Sequence, residues 1–475
     1  MTLQKFKIHP FESITIVVFT GLLVPWLVRD GMFVDGVTYS TIARNMADGL
    51  GSFWQLHYTN TLYPVFYEQP PLAFGLQAVF FKVLGQGMMV ERLYSFLSAS
   101  VLAWLIALLW KQFVHSRKTS WLPVLMWITI PVIFWSYRNN MLENTMSIWD
   151  LASVIFIIKG VRSGKSLNGC LITGSVFILL AFLTKGLPGL FPLVVPFIYW
   201  LIFKQCTPGR MILQTFFVGV MAGFAFLIIY ISGEGVRLFF TSYFSSQVWH
   251  SIEGHREIAQ YGRISIFYYL ILELWPAFLI MLLIKYVGNS KTKFSRLFYF
   301  GKNFWFFFYL GLSASLPLMI SPKQSDYFLV PSTPFFALGF AAEILPYVEK
   351  FMHQMRNRFF IIVRIISGVT FAGILIIAVM NFGKPYRDFE ILKDVYKIKE
   401  SVDYGTVITA NRKMCENWSL VAYLARINNN SLDCSQAKHD YILVCLNDNT
   451  QKWPPKYKPL NIGLINFILL HRTGY

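Results

Sequence analysis

A series of long apolar segments constrains this chain more than any other feature. Each is close to the length that an α-helix needs to cross about 30 Å of hydrocarbon. Only 14% of the 475 residues are charged and 55% are hydrophobic, which leaves too little polar side chain to coat a water-soluble particle of this size. The sequence therefore predicts an α-helical polytopic membrane protein with about eleven transmembrane helices, at 14–28, 91–110, 121–137, 145–160, 167–184, 187–204, 211–231, 266–285, 302–320, 327–345 and 359–380.

The positions of Lys and Arg predict how these helices are oriented. No small-residue cleavage site follows the first apolar run, so we expect that helix to be retained. Because positive residues in short loops stay in the cytoplasm, loops such as those at Lys111 and Lys159 place the N-terminus inside and the C-terminus outside a plasma (inner) membrane. The net charge of +18 then reflects topology and contact with anionic membrane lipids, and no nucleic acid partner is expected.

Changes in composition divide the chain into three parts. Residues 30–90 form a first outer loop, in which 37–50 and 71–84 have the pattern of helices lying on the membrane surface. This loop belongs to a membrane-embedded domain of residues 1–383. Residues 384–475 read as a small α/β domain outside the membrane, with helices near 389–400 and 416–427 and strands near 406–410, 441–445 and 462–469.

Ionisable residues gather on the predicted outer side, where a functional role is the first hypothesis for an acid near the bilayer. Asp35 follows the first span at a predicted helix start, so the alternative is a plain N-cap. Glu143 lies in the polar turn between the third and fourth spans, and Asp150 falls inside an apolar run, where it either pairs with a neighbouring helix or extends an acidic pocket. Lys185 sits in a Thr-Lys-Gly turn, where the alternative is a lysine that only reaches for the headgroups.

Metal and disulfide chemistry receive weaker support from the sequence. Glu68 and His255, both on the outer side, form only a candidate metal pair. Three of the five cysteines lie in the tail, at Cys415, Cys434 and Cys445, where one disulfide can form. We favour unpaired, unreactive thiols.

Several motifs occur together in a recognisable order. They are Asp35 with Tyr39, then Tyr67-Glu68-Gln69-Pro70-Pro71-Leu72, Glu91-Arg92-Leu93, Leu183-Thr184-Lys185-Gly186, and Ser321-Pro322-Lys323 leading to Tyr327 and Pro331. Over about residues 10–345, this pattern resembles the aminoarabinose-transferase and protein-mannosyltransferase superfamily. The resemblance implies a GT-C type glycosyltransferase, which takes a sugar from a polyprenyl-phosphate carrier and delivers it to an acceptor on the outer face.

The resemblance also assigns roles to residues. Asp35 and Glu143 match the two family acids, Lys185 the lysine of the Thr-Lys-Gly turn, and Tyr327 the tyrosine of a late Tyr-x-x-x-Pro motif. Tyr39, Tyr67, Glu68 and Gln69 are expected to line the substrate cavity. The chain departs from the pattern at Gly36, Thr38 and Gln69, where the family often has glutamate, arginine and lysine.

The chemistry of transfer agrees with these roles. A polyprenyl-phosphate sugar leaves as a phosphate, so cations must stabilise the developing charge, and Lys185, Arg256 and Lys323 can supply them. Tyr327 is expected to bind the donor phosphate with them. The acceptor hydroxyl needs a base, for which Asp35 is the first candidate and Glu143 the second. A single displacement would invert the anomeric centre. No cofactor is required, although a divalent metal could assist.

Two questions stay open at the level of sequence. The acceptor can be a lipid, a glycan or a protein, and the accepting group a hydroxyl or a phosphate. A secondary transporter or lipid flippase is the alternative function, and it would use ionisable groups near the middle of the bilayer, of which Asp150, Glu273 and Glu343 are the candidates.

Overall fold

The computed structural model describes residues 9–114, 117–254, 258–288, 299–435, 437–446 and 455–473. The helices of the membrane region are α1 (Pro10–Leu27), α2 (Val34–Ala47), α3 (Leu72–Leu84), α4 (Met89–Phe113), α5 (Trp121–Ile128), α6 (Pro131–Arg138), α7 (Leu142–Arg162), α8 (Gly169–Lys185), α9 (Val195–Phe203), α10 (Pro208–Ile231), α11 (Glu234–Ser242), α12 (His250–Glu253), α13 (Ser265–Gly288), α14 (Lys302–Ser315), α15 (Thr333–Gln354) and α16 (Asn357–Asn381). Tight 3₁₀ turns at Leu187–Val194, Leu316–Ile320 and Asp326–Ser332 lead into or out of these helices.

Within these ranges, eight helices are long and apolar enough to cross a membrane. The other three predicted spans fall on shorter elements: the pair α5 and α6, helix α8, and the segment 187–203. The polytopic helical class is therefore confirmed, whereas the count of eleven is not. The two predicted surface segments form α2 and α3.

Burial distinguishes the centre of the bundle from its periphery. In both α7 and the helix that ends in α15, 78% of the most apolar window is buried inside the protein, against 11% in α10 and α16. Apolar side chains of α10 and α16, such as Phe216 and Val369, are exposed and suited to contact lipid. Helix α7 carries Glu143, so this acid lies on one of the two most enclosed of these helices.

Local sequence explains why the predicted third span is interrupted. Helix α5 ends at Ile128 and α6 begins at Pro131, the helix position where proline is tolerated. The backbone N–H of Val132 donates to the carboxylate of Glu273 on α13 at 2.6 Å. Glu273 thus satisfies a free amide at this break.

The tail contains helices α17 (Phe389–Ser401), α18 (Arg412–Cys415) and α19 (Trp418–Asn428) and strands β1 (Val407–Thr409), β2 (Ser431–Asp433), β3 (Tyr441–Cys445), β4 (Tyr457–Leu460) and β5 (Phe467–Arg472). The sheet order is β2–β1–β3–β5–β4. Strand β1 is parallel to β2 and β3, whereas β5 is antiparallel to β3 and β4. The small α/β prediction is confirmed, although the short strands β2 and β4 were not predicted.

The expectation of unpaired thiols in the tail is wrong. Cys415 at the end of α18 and Cys434 just after β2 form a disulfide, with Cα atoms 6.6 Å apart. Strand β2 brings them together, because it places Cys434 beside the turn at Asn411, whose carbonyl oxygen lies 3.0 Å from the sulfur. Cys445 is a free thiol.

Candidate active site

Asp35 lies in the first turn of α2, but its side chain does not cap that helix. The N-cap position is Phe33, whose backbone N–H donates to Oδ1 of Asn139 at 2.9 Å. A Cβ atom on Gly36 would come within 1.9 Å of the Asn139 carbonyl oxygen, so glycine is required here for α2 to approach this turn. The Asp35 carboxylate instead accepts a hydrogen bond from the Tyr327 hydroxyl at 3.3 Å.

Glu143 and Lys185 form a buried ion pair. Glu143 lies in the first turn of α7 and is 1% exposed, and Lys185 is the last residue of α8 and is 9% exposed. Gly186 turns the chain after α8 with φ +81°, and a Cβ atom there would meet the Tyr243 hydroxyl at 1.9 Å. Tyr243 therefore packs tightly over the Lys185 turn.

Aromatic rings connect this ion pair to Asp35. The Lys185 ammonium lies 5.6 Å from the centre of the Tyr327 ring and 5.1 Å from that of Phe328, within the range of cation–π attraction. Tyr327 stacks on Trp135 with ring centres 5.6 Å apart. Phe33 lies 5.3 Å from Trp135, also between ring centres. Tyr327 thus contacts both halves of the site.

The surroundings of Asp35 raise its pKa, so this carboxyl group keeps its proton to a higher pH than an exposed aspartate does. Burial raises the pKa of Asp35, while the positive charge of Lys185, the hydrogen bond from Tyr327 and the charge of Lys323 oppose this rise. The negative charge of Glu68 adds a small upward contribution to the pKa. A carboxylate with a raised pKa is a stronger base than an exposed aspartate.

A cavity of about 340 Å³ opens beside Lys185. Its polar wall includes five residues singled out in the sequence, namely Glu68, Gln69, Glu143, Lys185 and Lys323. The rest of the lining is largely apolar, with Met146, Leu187, Pro188, Val248, Ile252, Pro317, Leu318, Ile320 and Phe328. Two lysines beside an apolar lining suit a ligand that combines a phosphate with a hydrocarbon chain.

Not every predicted site residue lines this cavity. Asp35 and Tyr327 are not among the lining residues, but Tyr327 contacts both Asp35 and the lining residue Lys185. Tyr39 packs on Phe74 with ring centres 5.8 Å apart. Tyr67 packs on Phe239 at 5.6 Å. Contact of these two tyrosines with substrate stays a prediction.

Two predicted residues, His255 and Arg256, lie outside the described residues. The described residues contain no group of three or more His, Cys, Asp or Glu side chains placed to hold a metal ion. The metal pair of Glu68 with His255, and the phosphate contact of Arg256, therefore stay predictions.

The three acids that a transporter would use do not line this cavity. Glu343 pairs with Lys285 at 3.0 Å, and Glu273 accepts the amide described above. Asp150 is fully buried, and neither carboxylate oxygen has a hydrogen-bond partner among the residues that the structure describes. It does not line the cavity, so its predicted extension of the acidic pocket is not observed.

Sequence reasoning missed the residues that position the site. Asn139 binds the start of α2 and Tyr243 packs over Gly186. The adjacent asparagines before α7 were a weak signal for the first, because such residues are also ordinary turn material. Nothing in the local sequence marked Tyr243, whose partner is more than fifty residues away in the chain.

Comparison with known proteins agrees with the architecture. Residues 68–232 match the family model described as dolichyl-phosphate-mannose-protein mannosyltransferase. No curated protein matches the sequence significantly. The family match covers the end of the first loop and the helices from α3 to α10, including the Lys185 turn.

Similar solved structures cover nearly the whole chain. ArnT from Cupriavidus metallidurans bound to undecaprenyl phosphate is similar with a TM-score of 0.64 and 13% identity, covering 97% of both chains. Its apo state gives 0.65 and 12%, covering 97% of this chain and 96% of that one. The archaeal oligosaccharyltransferase AglB from Archaeoglobus fulgidus, in complex with an inhibitory peptide and a dolichol-phosphate, gives 0.51 and 10%, covering 92% and 70%.

The chain is thus a multi-pass membrane protein with the GT-C fold. The family match over residues 68–232 and the shared fold agree with the resemblance predicted from the motifs. These matches give no support to the transporter or flippase alternative.

Proposed function

We propose that this protein is a membrane glycosyltransferase that moves a sugar, a hexosyl or pentosyl group, from a polyprenyl-phosphate carrier to an acceptor on the outer face of the membrane. The observation that carries the proposal is the convergence of Asp35, Tyr327, Lys185 and Glu143 beside a cavity with two lysines and an apolar wall. The similar structures of ArnT and AglB were solved with undecaprenyl phosphate and dolichol-phosphate, which supports the carrier class.

The proposed reaction is a single displacement. The acceptor oxygen attacks the anomeric carbon of the sugar, and the bond from that carbon to the carrier phosphate breaks. The phosphate leaves with the electron pair, and the acceptor proton passes to Asp35. Lys185 and Lys323, with Arg256 as a further candidate, stabilise the negative charge that develops on the phosphate.

The pairing of Lys185 with Glu143 refines the roles of the two acids. Glu143 fixes the ammonium at the cavity wall and limits its freedom to move. We therefore place Glu143 as a positioning acid and Asp35 as the base. The acceptor, whether lipid, glycan or protein, would approach from the Asp35 side.

The proposed location is the plasma (inner) membrane, with the N-terminus in the cytoplasm and the tail outside. The tail disulfide supports this orientation, because disulfides persist in oxidising compartments and are rare in the cytosol. A backbone hydrogen bond from Tyr386 to Asp30 joins the segments that follow α1 and α16, which supports the proposal that both helices end on the same side of the membrane.

The test is sugar transfer by purified protein in nanodiscs, with radiolabelled polyprenyl-phosphate sugars and with lipid, glycan and peptide acceptors. Asp35→Asn is expected to lose transfer by a factor of about 10²–10⁴ while still binding donor. Asp440→Asn, an exposed acid of the tail, is the control. Wild-type turnover by Asp35→Asn would remove Asp35 from the mechanism, and no transfer by the wild-type protein with any donor would overturn the function.

A further inference from the structure

Asp35 lies on helix α2, and residues of the tail make both apolar contacts and hydrogen bonds with this helix and its start. Residues of α2, including Val37 and Ile42, share one apolar cluster with Val395, Leu424 and other tail residues. Apolar packing of this kind is non-directional and does not by itself fix how far α2 can slide or rotate. Hydrogen bonds at its two ends can fix both.

At the N-terminal end, the hydrogen-bonding partner is Tyr423 of α19. Its buried hydroxyl accepts from the Met32 backbone N–H at 3.1 Å. It also lies 3.0 Å from the Met32 carbonyl oxygen and 3.0 Å from the Asp388 carboxylate, to one of which its single proton is donated. Met32 is three residues before Asp35, so this contact sets where α2 begins.

At the C-terminal end, Arg44 of α2 is the anchor. It is 1% exposed, and its guanidinium donates to the Arg426 carbonyl oxygen at 2.8 Å and to the Asn429 side-chain oxygen at 2.9 Å. The nearest carboxylate, of Asp48, is 3.9 Å away. Because this ion pair is long and Arg44 is buried, its guanidinium also depends on the carbonyl and amide acceptors of the tail, since leaving buried donors unsatisfied is costly.

Helix α19 is in turn fixed to the membrane bundle. The Arg426 side chain binds both carboxylate oxygens of Glu91 on α4, at 3.1 and 2.8 Å. Tyr423, Arg426 and Asn429 thus attach α19 to both ends of α2 and to the start of α4. We propose that the tail serves as a rigid brace for α2, with Tyr423, Arg44 and Asn429 as positioning residues for Asp35. The inference rests on the proposed function, since it assigns the tail a role in that same site.

The test combines a measurement of α2 itself with one of transfer. Tyr423→Phe removes only the hydroxyl, and Asn429→Gly removes the amide acceptor while suiting the positive φ of 53° at that position. Arg412→Ala, in an exposed pair with Glu416, is the matched tail control. Hydrogen exchange across residues 32–47 in nanodiscs is expected to be about tenfold faster in the first two variants and unchanged in the control.

In the transfer assay, both variants are expected to lower kcat about tenfold and to leave the donor KM within about twofold, since the cavity lysines are not part of the brace. The acidic limb of the pH profile is expected to move to lower pH, because a looser α2 exposes Asp35 to water. Burial has the largest influence on the pKa of Asp35, and the charged and titratable groups around it are Lys185, Lys323, Tyr327, Glu68, Glu143, Tyr39 and Tyr58. A merely structural role would reduce the active fraction without moving the limb.

The outcomes separate the brace from the proposed function. Unchanged exchange in Tyr423→Phe and Asn429→Gly would overturn the brace, whether or not the protein transfers sugar. Faster exchange with wild-type kcat and pH profile would overturn the positioning of Asp35. Faster exchange in the two variants, together with no sugar transfer by the wild-type protein, would instead refute the proposed function and, with it, the catalytic purpose of the brace.

Discussion

Replacing Lys185 tests whether its ion pair with Glu143 is separable from its role toward the donor. Lys185→Met removes the charge and retains most of the apolar stem, leaving Glu143 buried without its cation. Removal of one partner from a buried pair costs about 3–5 kcal/mol. Because Lys185 faces the cavity and is 9% exposed, water can reach the pair, and we expect about 3 kcal/mol, the lower end of that range.

The double variant Lys185→Met with Glu143→Gln removes both charges and should recover most of that loss. Unfolding in mixed detergent micelles measures the stability, and binding of undecaprenyl phosphate in nanodiscs measures the carrier affinity. Recovered stability with binding still weakened is the expected pattern, since the double variant lacks the ammonium. A stability of Lys185→Met within about 0.5 kcal/mol of the wild type, or wild-type carrier binding by the double variant, would refute the reasoning.

Three further predictions follow from the site and the tail. Activity should fall with decreasing pH as Asp35 takes up its proton, at a higher pH than for an ordinary aspartate because burial raises its pKa, and the pH dependence of kcat/KM checks this. Gly36→Ala should lower kcat severalfold or more by pushing α2 away from the turn before α7, whereas Gly87→Ala, with open space around its Cβ position, should leave kcat unchanged. Replacing Cys415 and Cys434 together by alanine should destabilise the tail by about 2–4 kcal/mol, seen as earlier proteolysis of the tail, while an unaltered cleavage rate would argue against the disulfide.

Hydropathy predicted most of the membrane fold because the length of an apolar segment is a local property. The break between α5 and α6 escaped prediction, since it depends on Pro131 together with a distant carboxylate from Glu273. In the tail, β2 and β4 are only three and four residues long, too short to leave a pattern of alternation. The disulfide was missed for the same reason, because β2 sets the position of Cys434.

For the candidate site, the sequence predicted that Asp35, Glu143, Lys185 and Tyr327 belong together, but not which of them contact each other. That Glu143 pairs with Lys185 depends on how α7 and α8 are rotated against each other, which residue spacing does not determine. The positioning role of Asn139 likewise depends on a contact between the first loop and a turn about one hundred residues later. Motif order indicated which residues converge, and packing determines how they are partnered.

Two positions at which this chain departs from the family pattern have different surroundings in the structure. At Gly36, where the family often has glutamate, the Asn139 carbonyl oxygen occupies the space that a side chain would need, so the change is tied to the close approach of α2. At Gln69, where the family often has lysine, the side chain lines the cavity itself. Among the described lining residues this leaves Lys185 and Lys323 as the cations, and Lys185 is already paired with Glu143. In the proposed reaction a donor phosphate would compete with Glu143 for the Lys185 ammonium, so Glu143 would help to determine how tightly the donor is held.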